Sequence, residues 1–234
     1  MYKLLTYLGQ LRLYSLANLM FMLVVAGASW ETLRFWSAVG LWVGFLAYLE
    51  SHHRHEGRAR IPEKWAWYCW IGVLLIQPHA SGIVAWMMAL SAVYSWKKTG
   101  YWGLVSPIVR GLQTIVLVWG FPTPQNRQLL VVIASAMTIR NIFGDARDTS
   151  SDRAAEMKTW PVVLKMGDHL FLHWIAVMAT TWLWWWFSGF SVWVPLGLNV
   201  LETSTYWRTP RPNNKEAKKA VLRLRNKILS IFQR

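Results

Sequence analysis

The sequence predicts an all-α membrane protein, a transmembrane helical bundle of about eight helices, from its apolar runs, its tryptophans and the placement of its charges. Of 234 residues, 54% are hydrophobic and 18 are Trp. Lipid offers open backbone groups no partner, so runs of about 20 apolar residues cross a core of roughly 30 Å as helices. The runs lie at residues 14–30, 33–50, 65–78, 80–96, 101–120, 127–144, 168–187 and 190–207. Residues 1–207 form the bundle, and 208–234 form a basic amphipathic tail.

A formal net charge of +14 suggests nucleic acid only until the 25 Lys and Arg are placed between the runs. With the N-terminus cytoplasmic, one side collects "SHHRHEGRARIPEK", "KKTG", the aspartate-bearing loop and the tail "RTPRPNNKEAKKAVLRLRNKILSIFQR". The other side keeps Arg34 and Arg127. That asymmetry follows the positive-inside rule, so the charge reports topology: a multi-pass protein with both termini and the aspartate-rich loop cytoplasmic. No soluble basic module remains to bind nucleic acid. In the tail, Ala220, Leu222, Leu224, Ile228, Leu229 and Ile231 have helical spacing among Lys and Arg, which suits anionic lipid. A docking surface for partner subunits is the rival reading.

The N-terminal segment carries no small-residue cleavage site behind a short apolar core, so the first run is expected to be retained. Cys69 is the single cysteine, which excludes a disulfide framework or a cysteine-based metal site. Arg110 falls within the fifth run, where an Arg costs about 2.5–3.5 kcal/mol on insertion scales. It is expected to face the bundle interior, paired with Glu50 or Glu202, bonded to carbonyls or touching substrate. Asn18 and Gln113 suit interhelical hydrogen bonds, and His169 and His173 suit packing or interfacial roles.

The densest chemistry is "RNIFGDARDTSSDRAAEMKTWPVVLKMG", directly behind the sixth apolar run. If that helix continues past Gly144, then Asn141, Asp145, Asp148 and Asp152 step by four, three and four residues and share one narrow arc, with Glu156 extending it. Carboxylates so phased repel one another and gain from a cation between them. Hard oxygen ligands without Cys suit Mg²⁺, which takes one or two carboxylates together with water and phosphate oxygens. The phasing points to a diphosphate site at the membrane surface, with Asn141, Asp145, Asp148 and Asp152 as metal ligands. A solvated helix end balanced by Arg147, Arg153 and Lys158 is the plainer alternative.

The stretch from Asp145 to Gly167 resembles the second aspartate-rich motif of the UbiA superfamily of intramembrane prenyltransferases, roughly D-x-x-D-x-x-x-D-R-x-x-G-x-x-T-x-P-V-x-x-G. Asp145, Asp148, Asp152, Arg153, Thr159, Pro161 and Val162 fall in register, with Lys158 beside Thr159 and Gly167 two residues past the pattern's last Gly. "VYSWKKTGYWGLVSPIVRGL" is similar to that family's tyrosine-to-lysine loop, with Tyr94 and Lys98 at its Y-x-x-x-K spacing, and "LRLYSLANL" is a weaker likeness. The resemblance implies a helical bundle with a cytoplasmic active site. Mg²⁺ and an isoprenyl diphosphate are held there, and the prenyl group passes to an aromatic or other lipid-soluble acceptor. Asp145, Asp148 and Asp152 would be catalytic, and Tyr94, Lys98, Arg153 and Lys158 would contact diphosphate.

The family's first aspartate-rich motif is absent. Aligning Ile61 and Pro62 puts Gly44, Tyr48 and His52 where Asn, Asp and Asp are expected. Either a basic cluster that includes Arg54 and Arg58 grips the diphosphate, with Glu50 or Glu56 supplying a carboxylate, or catalysis is lost. In the second case the bundle serves as a lipid- or pigment-binding subunit of a membrane complex. A terpene cyclase of the same superfamily is a further alternative.

Overall fold

The computed structural model describes residues 11–52, 61–98, 100–121 and 127–209. Among them every regular element is helical. The helices are α1 (Leu13–Val25), α2 (Leu33–His52), α3 (Lys64–Ile76), α4 (Ser81–Ser95), α5 (Trp102–Gly120), α6 (Arg127–Arg147), α7 (Thr149–Ala154), α8 (Trp160–Val163), α9 (Leu170–Ser188) and α10 (Trp193–Arg208). Short 3₁₀ turns at Pro78–Ala80 and Trp96–Lys98 flank α4.

Each of the eight apolar runs is a helix. Three of them, Trp102–Gly120, Gln128–Arg147 and Leu170–Ser188, are long and apolar enough to cross a membrane. The first helix stops at Val25, short of the expected residue 30. Gly27 takes φ 99°, and the Ala28 and Gly27 amides donate back to the Leu23 and Val24 carbonyls. This is a Schellman stop, which needs a residue able to adopt the left-handed conformation.

Packing runs from α1 to α2, α4, α5, α6, α9 and back to α1, closing a ring, with α3 set against α2 and α4, and α10 against α1 and α9. The surface is apolar: Leu75 and Trp186 are each 77% exposed, and Trp193 and Val200 are nearly as open. Polar groups turn inward. Asn18 Nδ2 donates to Thr181 Oγ1 (2.8 Å) and Glu202 Oε1 (3.1 Å), Trp184 Nε1 donates to Asn18 Oδ1 (2.9 Å), and Thr181 Oγ1 donates to Glu202 (2.7 Å). Gln113 Nε2 reaches Ser91 Oγ at 3.4 Å. Asn18 and Gln113 therefore join helices, as their sequence context suggests.

Where apolar helices meet in lipid there is little water to exclude, so close backbone approach and internal hydrogen bonds supply the cohesion. The α5–α6 contact depends on Gly111, where an added Cβ would stand 2.5 Å from Thr138 Oγ1 and 2.8 Å from the Ala134 carbonyl oxygen. Gly111→Ala is expected to destabilise the detergent-solubilised protein by about 1–3 kcal/mol in thermal unfolding, because the backbone oxygen cannot move aside. Gly72→Ala, with open space around Gly72, should cause no such loss.

Candidate functional site

The end of the ring where α1 begins and α2, α4 and α6 finish gathers the charged residues. Here the single acidic arc expected on one continuous helix is corrected. The helix breaks at Asp148, which has φ −113° and precedes the separate helix α7. The carbonyls at the end of α6 find other donors: Asp148 N and Thr149 Oγ1 turn to the Asp145 carbonyl, and Thr149 Oγ1 and His169 N turn to that of Ala146. A hydroxyl that satisfies a terminal carbonyl competes with helix continuation. Glu156, at φ 56° and exposed, lies off the arc.

The break gives the three aspartates three different surroundings. Asp145 is 3% exposed and pairs through Oδ1 with the Lys97 ammonium, while its Oδ2 is buried with no hydrogen-bond partner. Asp148 forms a two-pronged pair with Arg147, with Nε donating to Oδ1 at 2.8 Å and Nη2 donating to Oδ2. Asp152 is buried and accepts from Thr159 Oγ1 at 3.2 Å. Burial pushes the Asp152 carboxyl up despite Lys97, whereas Arg147 holds Asp148 below the usual carboxylate range against its own burial. The Lys97 ammonium, though buried, is held above its ordinary value by Asp145, with Asp152 adding to the effect.

A second layer lies inward of these acids. Tyr94 OH donates to Asn141 Oδ1 at 2.9 Å, leaving the buried Asn141 Nδ2 without a partner. The Arg110 guanidinium stacks over Trp42 (3.9 Å) and Phe45 (4.3 Å) and donates to Gln113 Oε1 at 3.3 Å. Glu50 and Glu202, the carboxylates considered for Arg110, are engaged elsewhere. Arg12 pairs with Glu50 at 2.8 Å, and Glu202 is held by Asn18 and Thr181. No family model, curated protein or solved structure matches the chain.

Tyr94, Asn141, Asp145 and Asp152 are thus brought to one end of the bundle, with Asp148 beside them but turned to Arg147. Arg153 donates to the Met166 carbonyl (2.9 Å), and Lys158 sits over the Tyr101 ring (3.9 Å), so neither faces the acids. Arg54, Arg58 and Glu56 lie outside the described residues, as does the side chain of Lys98. The cation on Asp145 is its neighbour Lys97, which the Y-x-x-x-K spacing passes over by one residue. Arg12 and Arg147 were also missed as site residues; their proximity to apolar runs marked them as charges that need interior partners.

Among the described residues, no three His, Cys, Asp or Glu side chains form a group that could hold a metal ion. The unpartnered Asp145 Oδ2 is nevertheless a hard oxygen suited to one Mg²⁺, an ion that completes its shell with water and phosphate oxygens. The residues present fit a single metal arm rather than two.

The opposed surroundings of Asp148 and Asp152 give opposite pH signs. Asp148 is more acidic when folded, so it contributes stability above its unfolded pKa and loses it as pH falls through the folded value. Asp152 is less acidic when folded, so its ionisation costs stability, and the cost appears as pH rises through the carboxyl range. Thermal unfolding between about pH 4 and pH 8 should therefore find Asp152→Asn more stable than the parent near neutrality, with the difference vanishing toward acid. Asp148→Asn should be less stable near neutrality by about 1–3 kcal/mol, because it leaves Arg147 unpaired. That deficit should persist across this range and shrink only below about pH 4, where the parent's own Asp148 takes up its proton.

Proposed function

We propose that this protein is a UbiA-like membrane prenyltransferase that moves an isoprenyl group from an isoprenyl diphosphate to an aromatic or other lipid-soluble acceptor. The observation that carries this reading is the buried, unpartnered Oδ2 of Asp145, set beside the unpartnered Nδ2 of Asn141. Buried polar atoms are costly to leave unsatisfied, and where they cluster they mark a place for a ligand. The register of the aspartate motif and the Tyr94–Asn141 contact support the same reading.

In this reading the chain crosses the membrane repeatedly, with both termini and the aspartate-rich loop cytoplasmic, and its basic tail lies on anionic lipid. Asp145, with Asp152 as the second carboxylate, would hold a single Mg²⁺, which would supply countercharge for the leaving diphosphate. Lys97 turns from Asp145 toward the diphosphate oxygens. The allylic carbon–oxygen bond breaks with its electron pair leaving on diphosphate. A bond then forms from acceptor to allylic carbon as the acceptor gives up a proton. The prenyl chain lies between helices, where its hydrocarbon finds apolar walls.

A second reading, that of a non-catalytic homologue serving as a lipid- or pigment-binding subunit, is favoured by one observation. Asp148 is already neutralised by Arg147 in a two-pronged pair, and the first aspartate motif is missing. Incubating the purified protein with Mg²⁺ and isoprenyl diphosphates of several lengths, and measuring diphosphate release, separates the two. Release is expected, and Asp145→Asn should lower it by about 100-fold or more. Silence at every chain length would establish the subunit reading, and release without any acceptor, with a cyclic product, would reassign the protein as a terpene cyclase.

A further inference from the structure

Resting on the reading of an isoprenyl diphosphate as ligand, we propose that its headgroup is gripped directly by Arg110, Arg12 and Lys97 around the Tyr94 phenol. These cations take the place of the absent first aspartate arm, so binding does not require a metal.

Three separate elements deliver the cations to one phenol. Arg12 comes from the start of α1, Lys97 from the turn one helical step beyond Tyr94, and Arg110 from the interior of α5. Tyr94 lies within electrostatic reach of all three. The Arg110 carbon stands 6.0 Å from the Tyr94 ring, whose hydroxyl is bonded to Asn141 one turn before Asp145. Tyr94 and Asn141 therefore stand between the acids and Arg110.

Arg110 is the member whose position has no structural explanation. Arg12 has Glu50 and Lys97 has Asp145. Arg110 is 7% exposed and makes one hydrogen bond, to a neutral amide one turn along its own helix, and the guanidiniums it feels most, Arg12 and Arg140, repel it. Stacking on Trp42 and Phe45 holds its plane and leaves most of its N–H donors without a protein acceptor. A planar guanidinium with free donors, flanked by further cations, matches a phosphate group, which guanidinium binds in two-pronged fashion. A diphosphate carries enough negative charge to neutralise Arg110 and to draw Lys97 and Arg12 part-way from their carboxylates. That exchange would free Asp145 for Mg²⁺.

The test uses the full chain in detergent, titrated with geranylgeranyl diphosphate in EDTA and again in Mg²⁺. Binding in EDTA within about tenfold of that in Mg²⁺ is expected, and Arg110→Met should weaken it by about thirtyfold or more. Loss of binding in EDTA, or an Arg110→Met variant that binds as the parent does, would overturn the proposal. Methionine removes an unpaired buried charge, so Arg110→Met should unfold at a temperature equal to or above the parent's. If it unfolds lower and Arg110→Lys fails to restore both stability and binding, Arg110 is merely structural and the proposal falls. Competition by inorganic diphosphate supports headgroup recognition, and equal competition by phosphatidic acid would reassign the site to a phospholipid headgroup. Binding in EDTA without diphosphate release in Mg²⁺ would leave this site standing while removing prenyl transfer.

Discussion

Lys97 on Asp145 ties the turn after α4 to the end of α6, and the arrangement of the whole charged end follows from the need for such pairs. Much of the bundle's outer face is Leu, Val, Phe and Trp, and the ionised groups buried inside it must find partners. Arg12 finds Glu50, Arg147 finds Asp148, and Glu202 is enclosed by Asn18 and Thr181. Each pair joins or braces helices, so charge pairing and helix packing are one problem with one solution.

Besides the buried Arg140 Nη2 and Trp42 Nε1, which also lack partners, two groups stand outside that solution toward the same end. Asp145 keeps one oxygen without a donor, and Arg110 keeps a guanidinium without a carboxylate. A fold that completes its pairing nearly everywhere and leaves an acid and a base incomplete along a Tyr94–Asn141 bridge has the polarity of a site for a charged ligand. Opposite unmet charges suit a ligand that carries both an anion and its metal. The proposed prenyl transfer and the proposed direct grip on diphosphate draw on these two residues separately.

The helix break at Asp148 governs how the aspartates differ. On one unbroken helix they would repel as a set and share one cation. Broken, they separate into Asp145 facing Lys97, Asp148 facing Arg147 and Asp152 beneath Thr159, with different acidities. Thr149 and the His169 amide bring this about by satisfying carbonyls that a further turn of helix would have used. A local competition for backbone hydrogen bonds thereby sets the chemistry of a site several residues long.

By itself the sequence determined the helices. Their apolar runs survive in three dimensions within a few residues, apart from α1, because hydrocarbon leaves a backbone little choice but to bond within its own helix. It also determined which region holds the acids, and it marked Asn18, Gln113 and Arg110 as polar groups with interior roles. Only the tertiary structure decided who pairs with whom. Lys97 reaches Asp145, 48 residues away, from a 3₁₀ turn, where the rise and twist change. Arg12 and Glu50 lie 38 residues apart and meet because α1 and α2 run in opposite directions. The stretch from Asn141 to Glu156 reads as one acidic arc until Thr149 and His169 end its helix, since spacing records what a regular helix would do and long-range hydrogen bonds decide where regularity stops.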